Sequence, residues 1–291
     1  MCFIIRSPYT AQRMKPEYFN ALNYQFAIED MNIQHMRQAL ANIPMSKRGE
    51  LRTKLVPWIY TNDLGFADSL DTIGQNISRQ KRNGKPRVGI ISGVGALLTV
   101  TPYLDVDCLV SIDRNGFVLD QVFKMVDTIR NAETKEEYLE LAQLDELFGL
   151  MKLEQVDAES YYHVERESFG DKHFLASDAA YQKSRKALRD TKVLFSQGNF
   201  THRPYVRALG ESLSDGEIVY ANFTDLGEWY PEFFSVIADF PLTPDSVINW
   251  STNKTREGTP QSMVSTGLEE YLEQAQQAMA QIDVSYFKQH V

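Results

Sequence analysis

Two glycines and an acid carry the spacing richest in chemistry. Gly93 and Gly95 follow Val88 to Ser92, a short apolar run with β-branched residues that predicts a fully buried strand. Ala96 to Thr101 fits a short helix turning back over the sheet. Leu109 to Ile112 is a second buried strand, and it ends on Asp113, eighteen residues past Gly95. Strand, glycine turn, helix, strand, acid is the first half of a nucleotide-binding βαβ unit. Glycines let the backbone approach a ligand, the helix start offers free N–H groups, and an acid at the second strand's tip can accept both hydroxyls of a ribose. A tight turn with no ligand also explains the glycines. It does not explain a charge closing an apolar strand.

The third position of the glycine fingerprint narrows the ligand. A dinucleotide site needs a small residue where the helix packs close to the strand and the pyrophosphate. Gly93-Val94-Gly95-Ala96-Leu97-Leu98 places a leucine there. A cofactor without a pyrophosphate, such as S-adenosylmethionine, does not require that approach. An NAD(P)-dependent oxidoreductase is the weaker alternative, drawing only on Asp113 and Arg114 as partners for an adenosine ribose.

The stretch from about residue 86 to 253 resembles the class I S-adenosylmethionine-dependent methyltransferases, and within them a bacterial methyltransferase-like group. The residues that carry the likeness are Gly93-Val94-Gly95, Asp113-Arg114, Gly198-Asn199, Phe174-Leu175-Ala176-Ser177 and Val219-Tyr220-Ala221-Asn222. The resemblance implies that Ser92, Gly93, Val94 and Gly95 flank the methionine portion of the cofactor. It implies that Asp113, next to Arg114, takes the ribose hydroxyls. Gly198, Asn199 and Phe200 would lie along the adenine. Asn199 stands where such enzymes often carry an acid to the adenine amino group, and its amide oxygen can still accept that bond. Asn222 falls where amino-methylating members have an Asn/Asp-Pro-Pro-aromatic loop. Here the chain reads Asn222-Phe223-Thr224-Asp225, without the prolines.

Methyl transfer chiefly requires alignment of a nucleophile with the sulfonium carbon, so no fixed dyad is implied. Asn222, Asp225 and His202 are the catalytic candidates, the last two as bases for an oxygen nucleophile. Tyr220, Trp229 and Tyr230 could wall a flat substrate or simply pack. The expected acceptor is a small molecule or a protein side chain. The missing proline-aromatic loop and the extra amino-terminal region keep a second class open, a catalytically silent methyltransferase-like binding or effector protein. Glu269, Glu270 and Glu273 resemble the glutamate-rich tails of some secreted bacterial effectors, although acids at a helix start are also plain dipole complementation.

Composition sets limits on partners. The 291 residues have a net charge of −9, with 43% hydrophobic and 24% charged residues, ordinary for a globular protein. That charge lacks the basic stripe of a nucleic-acid footprint and does not suit an anionic membrane. Arg79 to Arg87 and Lys183 to Arg189 are local basic patches that read as solvated faces. Two distant cysteines, Cys2 and Cys108, offer neither a disulfide framework nor a CxxC pair. The five histidines show no ligand spacing, so no metal is expected. No apolar stretch reaches the length of a spanning helix, and Met1 to Arg6 lacks the features of a signal peptide. A cytoplasmic setting follows as the expectation.

The elements that must position these residues read as a doubly wound α/β fold, a mostly parallel sheet with an added amino-terminal helical region over 1–85. That region holds an amphipathic helix from Pro16 to Leu40, a second around Leu51 to Tyr60, and a third over Asp63 to Arg82. These are expected to pack on one another and cap one side of the sheet, and the resemblance implies a lid over the cofactor cleft. Asn83-Gly84-Lys85-Pro86 marks the boundary. The sheet domain, 86–291, contains a helical insertion at about 131–190, longer than a simple crossover needs. Its Tyr161, Tyr162, His163 and Phe169 suggest substrate contact. Further strands are expected at Lys192 to Ser196, Glu217 to Ala221 and Ser246 to Trp250, with an edge strand at Ser262 to Thr266 and a closing helix from Gly267.

Overall fold

Six strands carry the fold. The structure, a computed structural model, describes residues 31–51, 65–92, 96–142, 165–166, 168–224, 233–252 and 261–280. Strands β1 (Arg87–Ser92), β2 (Cys108–Asp113), β3 (Lys192–Gln197), β4 (Glu217–Asn222), β5 (Leu242–Thr252) and β6 (Gln261–Thr266) lie in the order β3-β2-β1-β4-β5-β6. All neighbours are parallel except β5 and β6, which pair antiparallel at the edge. This is the doubly wound, mostly parallel α/β architecture expected from the sequence.

The alternation along each strand sorts the core into two layers. Ile91, Leu109, Val193 and Val247 face one layer. Ile90, Val110, Leu194 and Ile248 face the other. Helices α1 (Met31–Ala41), α2 (Phe66–Arg79), α3 (Leu97–Val100), α4 (Gly116–Asn131), α5 (Lys135–Leu141), α6 (Asp178–Asp190), α7 (Arg203–Ser212), α8 (Phe233–Val236) and α9 (Gly267–Ala280) divide between them. The first layer takes α2 through α6, and the second takes α1, α7, α8 and α9.

This division corrects the expected arrangement of the amino-terminal helices. The apolar stripe of α1 (Ile33, Met36, Leu40) joins the second layer, while Phe66, Leu70, Ile73 and Ile77 of α2 join the first. Helical periodicity shows that a face is apolar without saying which side of a sheet will cover it. The expected helix around 51–60 and the first half of the long first helix lie outside the described residues.

Side chains cap three helix starts. Asn115 accepts a bond from Phe117 N–H at the start of α4, Thr134 from Glu137 N–H at α5, and Ser177 from Ala180 N–H at α6. Gly84 in the boundary turn and Gly267 at the start of α9 have positive φ, 85° and 77°, a region open to glycine at little cost. Of the aromatic residues expected to meet substrate in the insertion, Phe169 is instead fully buried. Its ring lies 4.7 Å from that of Phe66, so it ties the insertion to α2. Tyr161, Tyr162 and His163 lie outside the described residues.

Candidate functional site

In an open parallel sheet, ligands collect beyond the carboxyl ends of the strands where the strand order reverses. Here that point lies between β1 and β4. Ser92 closes β1, and its Oγ donates to the carbonyl of Asn222, the last residue of β4, at 3.0 Å. Asn222 is 1% exposed, and its Oδ1 accepts from Thr224 N–H at 3.0 Å, which bends the chain away from the strand. Gly93, Val94 and Gly95 lie outside the described residues. The chain re-enters at Ala96, and α3 follows with Leu97 to Val100 all buried. Leu98, in the place of the third glycine, is a core side chain of the first layer.

One strand over, Asp113 closes β2, half-buried. Its Oδ1 accepts from Asn115 N–H at 2.7 Å, and its carbonyl accepts from Gly198 N–H at 3.0 Å. The first bond is an Asx turn, which sets Asn115 in position to cap α4. A carboxylate has about four lone-pair sites, so one group can serve both the turn and a ligand. The neighbouring Arg114 is half-buried, and its carbonyl accepts from Gln197 Nε2 at 3.3 Å.

The tip of β3 is more committed to structure than the sequence suggested. A Cβ on Gly198 would sit 2.1 Å from the Tyr205 ring, so the glycine is there to let that ring pack on the backbone. Tyr205 is fully buried and donates to Ser196 Oγ at 2.9 Å, and burial holds its phenol well above the ordinary range. Asn199 Oδ1, expected to meet an adenine amino group, takes two bonds from Thr201, from its N–H and its Oγ1, both at 2.9 Å. Phe200, expected to lie along the adenine, is 5% exposed and sits among Tyr205, Phe223, Phe233 and Phe240 with centroids 6.0–6.4 Å apart. It is a core residue. An aromatic cluster of that kind is not visible from the isolated Gly-Asn-Phe string.

Arg48 is the functional neighbour that the sequence reading missed. Its guanidinium donates to the carbonyls of Leu40, Ala41 and Ile43 at 3.3, 3.4 and 3.0 Å, and to that of Gln197 at 2.8 Å. Its own carbonyl accepts from Asn199 N–H at 2.9 Å. The cation thus caps the carboxyl end of α1, where the dipole favours it, and fastens that end to the β3 tip. Burial lowers its pKa. Only the Arg48-Gly49 pair after a helix end marks it in the sequence. Gly49, at φ 74°, lets His202 lie against the backbone, since a Cβ there would come within 2.7 Å of the His202 Cβ. His202 is half-buried at the N-cap of α7, and Asp225 lies outside the described residues.

Two solved structures of the rRNA methyltransferase aviRa from Streptomyces viridochromogenes are similar to the chain. They share 12% and 11% identity, with TM-scores of 0.37 and 0.38 over 82% and 88% of this chain and 88% and 98% of theirs. So loose a likeness carries no residue correspondence. No family model and no curated protein matches the chain.

The remaining expectations fall outside the tips. Tyr220 is fully buried in the first layer and cannot wall a substrate. Its hydroxyl has no hydrogen-bond partner among the described residues, and burial raises its pKa. Trp229 and Tyr230 lie outside the described residues. No described helix is long and apolar enough to cross a membrane.

Proposed function

We propose that the protein binds S-adenosylmethionine across the tips of β1, β2 and β3 and transfers its methyl group to a small molecule or a protein side chain. One observation carries the reading: the Ser92–Asn222 stitch marks the point of strand-order reversal, and the half-buried carboxylate of Asp113 closes the neighbouring strand β2. The cofactor supplies an activated methyl on a sulfonium. Asp113 would hold the ribose, and Ser92 with the following glycines would flank the methionine portion. Asn222 and Thr224 would shape the acceptor side. Asn199 fits less well, because Thr201 fills its amide oxygen; its remaining amide nitrogen and the backbone at Gly198 are what an adenine could meet.

The acceptor is proposed to be other than nucleic acid. The net charge is −9. Two of the five basic residues of the 79–87 patch are paired with acids, Arg82 with Asp105 and Asp107, and Arg87 with Asp105. Lys183 lies 3.8 Å over the Tyr103 ring. A cytoplasmic setting accords with the lack of a disulfide framework.

Calorimetric titration with S-adenosylmethionine and its demethylated product tests the reading. Saturable binding to the folded chain is expected, with none to NAD(P), because Leu98 stands where a dinucleotide site needs a small residue. Failure to bind at millimolar ligand, or stabilisation by NAD(P) alone, overturns it. A catalytically silent cofactor-binding protein is the second reading, favoured by the engaged amide oxygen of Asn222. Binding without methyl transfer would select it.

A further inference from the structure

A groove of about 450 Å³ opens between the start of α2 and the edge strand β6, two strands across from the β4 tip. Its walls are Asp68, Ser69 and Thr72 on α2 and Ser262, Met263 and Val264 on β6, with Gly65 at the mouth. None of these is basic. The size lies within the range of small-molecule sites.

The floor is short of protons. Ser69 Oγ donates to Gly65 O at 3.2 Å, which uses its one hydrogen. Ser262 Oγ stands 3.1 Å from Ser69 Oγ and 2.8 Å from Asn249 Oδ1, and it has one hydrogen for these two acceptors. Asp68 at the rim adds a carboxylate. A ligand with several N–H donors fits such a surface, and an anion does not. An alkylammonium, with three N–H donors and a positive charge, answers both the carboxylate and the surplus of acceptors.

We propose that this groove is a binding site for small alkylamines, with the ammonium at Asp68 and Ser262 and the alkyl part against Met263 and Val264. The site lies within reach of the acceptor side of the sheet. Asn249 pairs with Asn222 in the β4–β5 register and accepts Phe223 N–H through its carbonyl at 2.7 Å. Two strand spacings, roughly 10 Å, separate β4 from β6. Where the methyltransferase reading holds, an elongated acceptor anchored here could present its far end to Asn222.

The test is a backbone-amide NMR titration of the full chain, without cofactor, using propylamine and, as an anion of similar skeleton, propanoate. Saturable shifts at Ser69, Thr72, Ser262 and Val264 are expected with the amine and not with the anion. Asp68→Asn, at an exposed position that leaves the fold intact, should weaken binding at least about threefold, the scale of a partly exposed ion pair. Ser262→Ala should weaken it as well. Absence of saturable shifts at millimolar amine overturns the proposal. So does equal binding of the anion, or an affinity that Asp68→Asn leaves unchanged. Since no cofactor is present, failure here leaves the cofactor reading standing, and failure of that reading leaves this one.

Discussion

Ser92 and Asn222 are joined by a 3.0 Å hydrogen bond from the Ser92 Oγ to the Asn222 carbonyl, across the line where the sheet reverses its strand order. A crevice at such a point needs its two walls held at a fixed separation, and a side chain to backbone bond does this without occupying the outer face. Ser92→Ala removes it and leaves the Asn222 carbonyl short of a partner. Denaturant unfolding should show a loss of about 0.5–1.5 kcal/mol, with the slope unchanged. Cofactor affinity should fall with it if the wall spacing matters to the ligand.

Asp113 has two proposed duties, and two substitutions separate them. Asp113→Ala loses both the bond to Asn115 N–H and the ribose acceptor. Stability should fall by about 1 kcal/mol, and affinity for S-adenosylmethionine at least about tenfold, since each charge-assisted bond contributes roughly 1.5–3 kcal/mol. Asp113→Asn keeps an oxygen for Asn115 N–H. It should recover most of the melting temperature but little of the affinity. A variant that recovers both would reduce Asp113 to a turn-former.

The order of strands and helices was legible because β1 and β2 are short β-branched runs and α5 and α6 begin at capping residues. Thr134 and Ser177 are cases where one side chain fixes a boundary. The tips were less legible. Gly198-Asn199-Phe200 has the look of a ligand loop, yet the glycine admits the Tyr205 ring, the asparagine turns on Thr201, and the phenylalanine enters an aromatic core. Each of those roles depends on a partner that folding brings in from another element. Arg48 is hidden for the same reason, since most of its meaning lies in the Gln197 carbonyl, 149 residues away.

Gly198 should therefore behave as a packing residue. In Gly198→Ala the new methyl collides with the Tyr205 ring, and overpacking of this sort costs about 1–3 kcal/mol. Removing the ring should abolish the penalty. Gly198→Ala added to Tyr205→Leu should be no less stable than Tyr205→Leu alone, a non-additivity that a double-mutant cycle reads directly. Full additivity would mean that the glycine serves backbone conformation instead.

Arg48→Met leaves the carbonyls of Leu40, Ala41, Ile43 and Gln197 without their donor. A loss of at least about 2 kcal/mol is expected. Hydrogen exchange should rise together in 31–50 and at 197–202, because one guanidinium holds both. Arg48→Lys should rescue little, since an ammonium lacks the planar fork that reaches several carbonyls at once. Exchange confined to residues 31–50 would show that the β3 tip is held independently.

The last prediction concerns acid. His173 is fully buried in the insertion, beside Phe169 and Phe174, and Phe174 N–H donates to Thr99 on α3 at 3.4 Å. Its Nδ1 accepts from Leu175 N–H at 3.1 Å, so the ring's own proton sits on Nε2, 3.1 Å from the Glu165 carboxylate. Protonating Nδ1 would break the bond to Leu175 and place a cation in a buried site near Arg166. Burial first, and Arg166 second, lower the His173 pKa from 6.5 to about 3. The unfolded chain therefore binds the extra proton between about pH 6.5 and 3, and the folded chain does not. The stability this residue contributes is fully present above pH 6.5 and declines as the pH falls through that window. His173→Gln carries no titrating ring there. Its stability at neutral pH should be lower than that of the parent, but from pH 6.5 down to 4.5 its unfolding free energy should fall less steeply. Parallel curves for the two chains over that range would mean that His173 takes up its proton without leaving the fold.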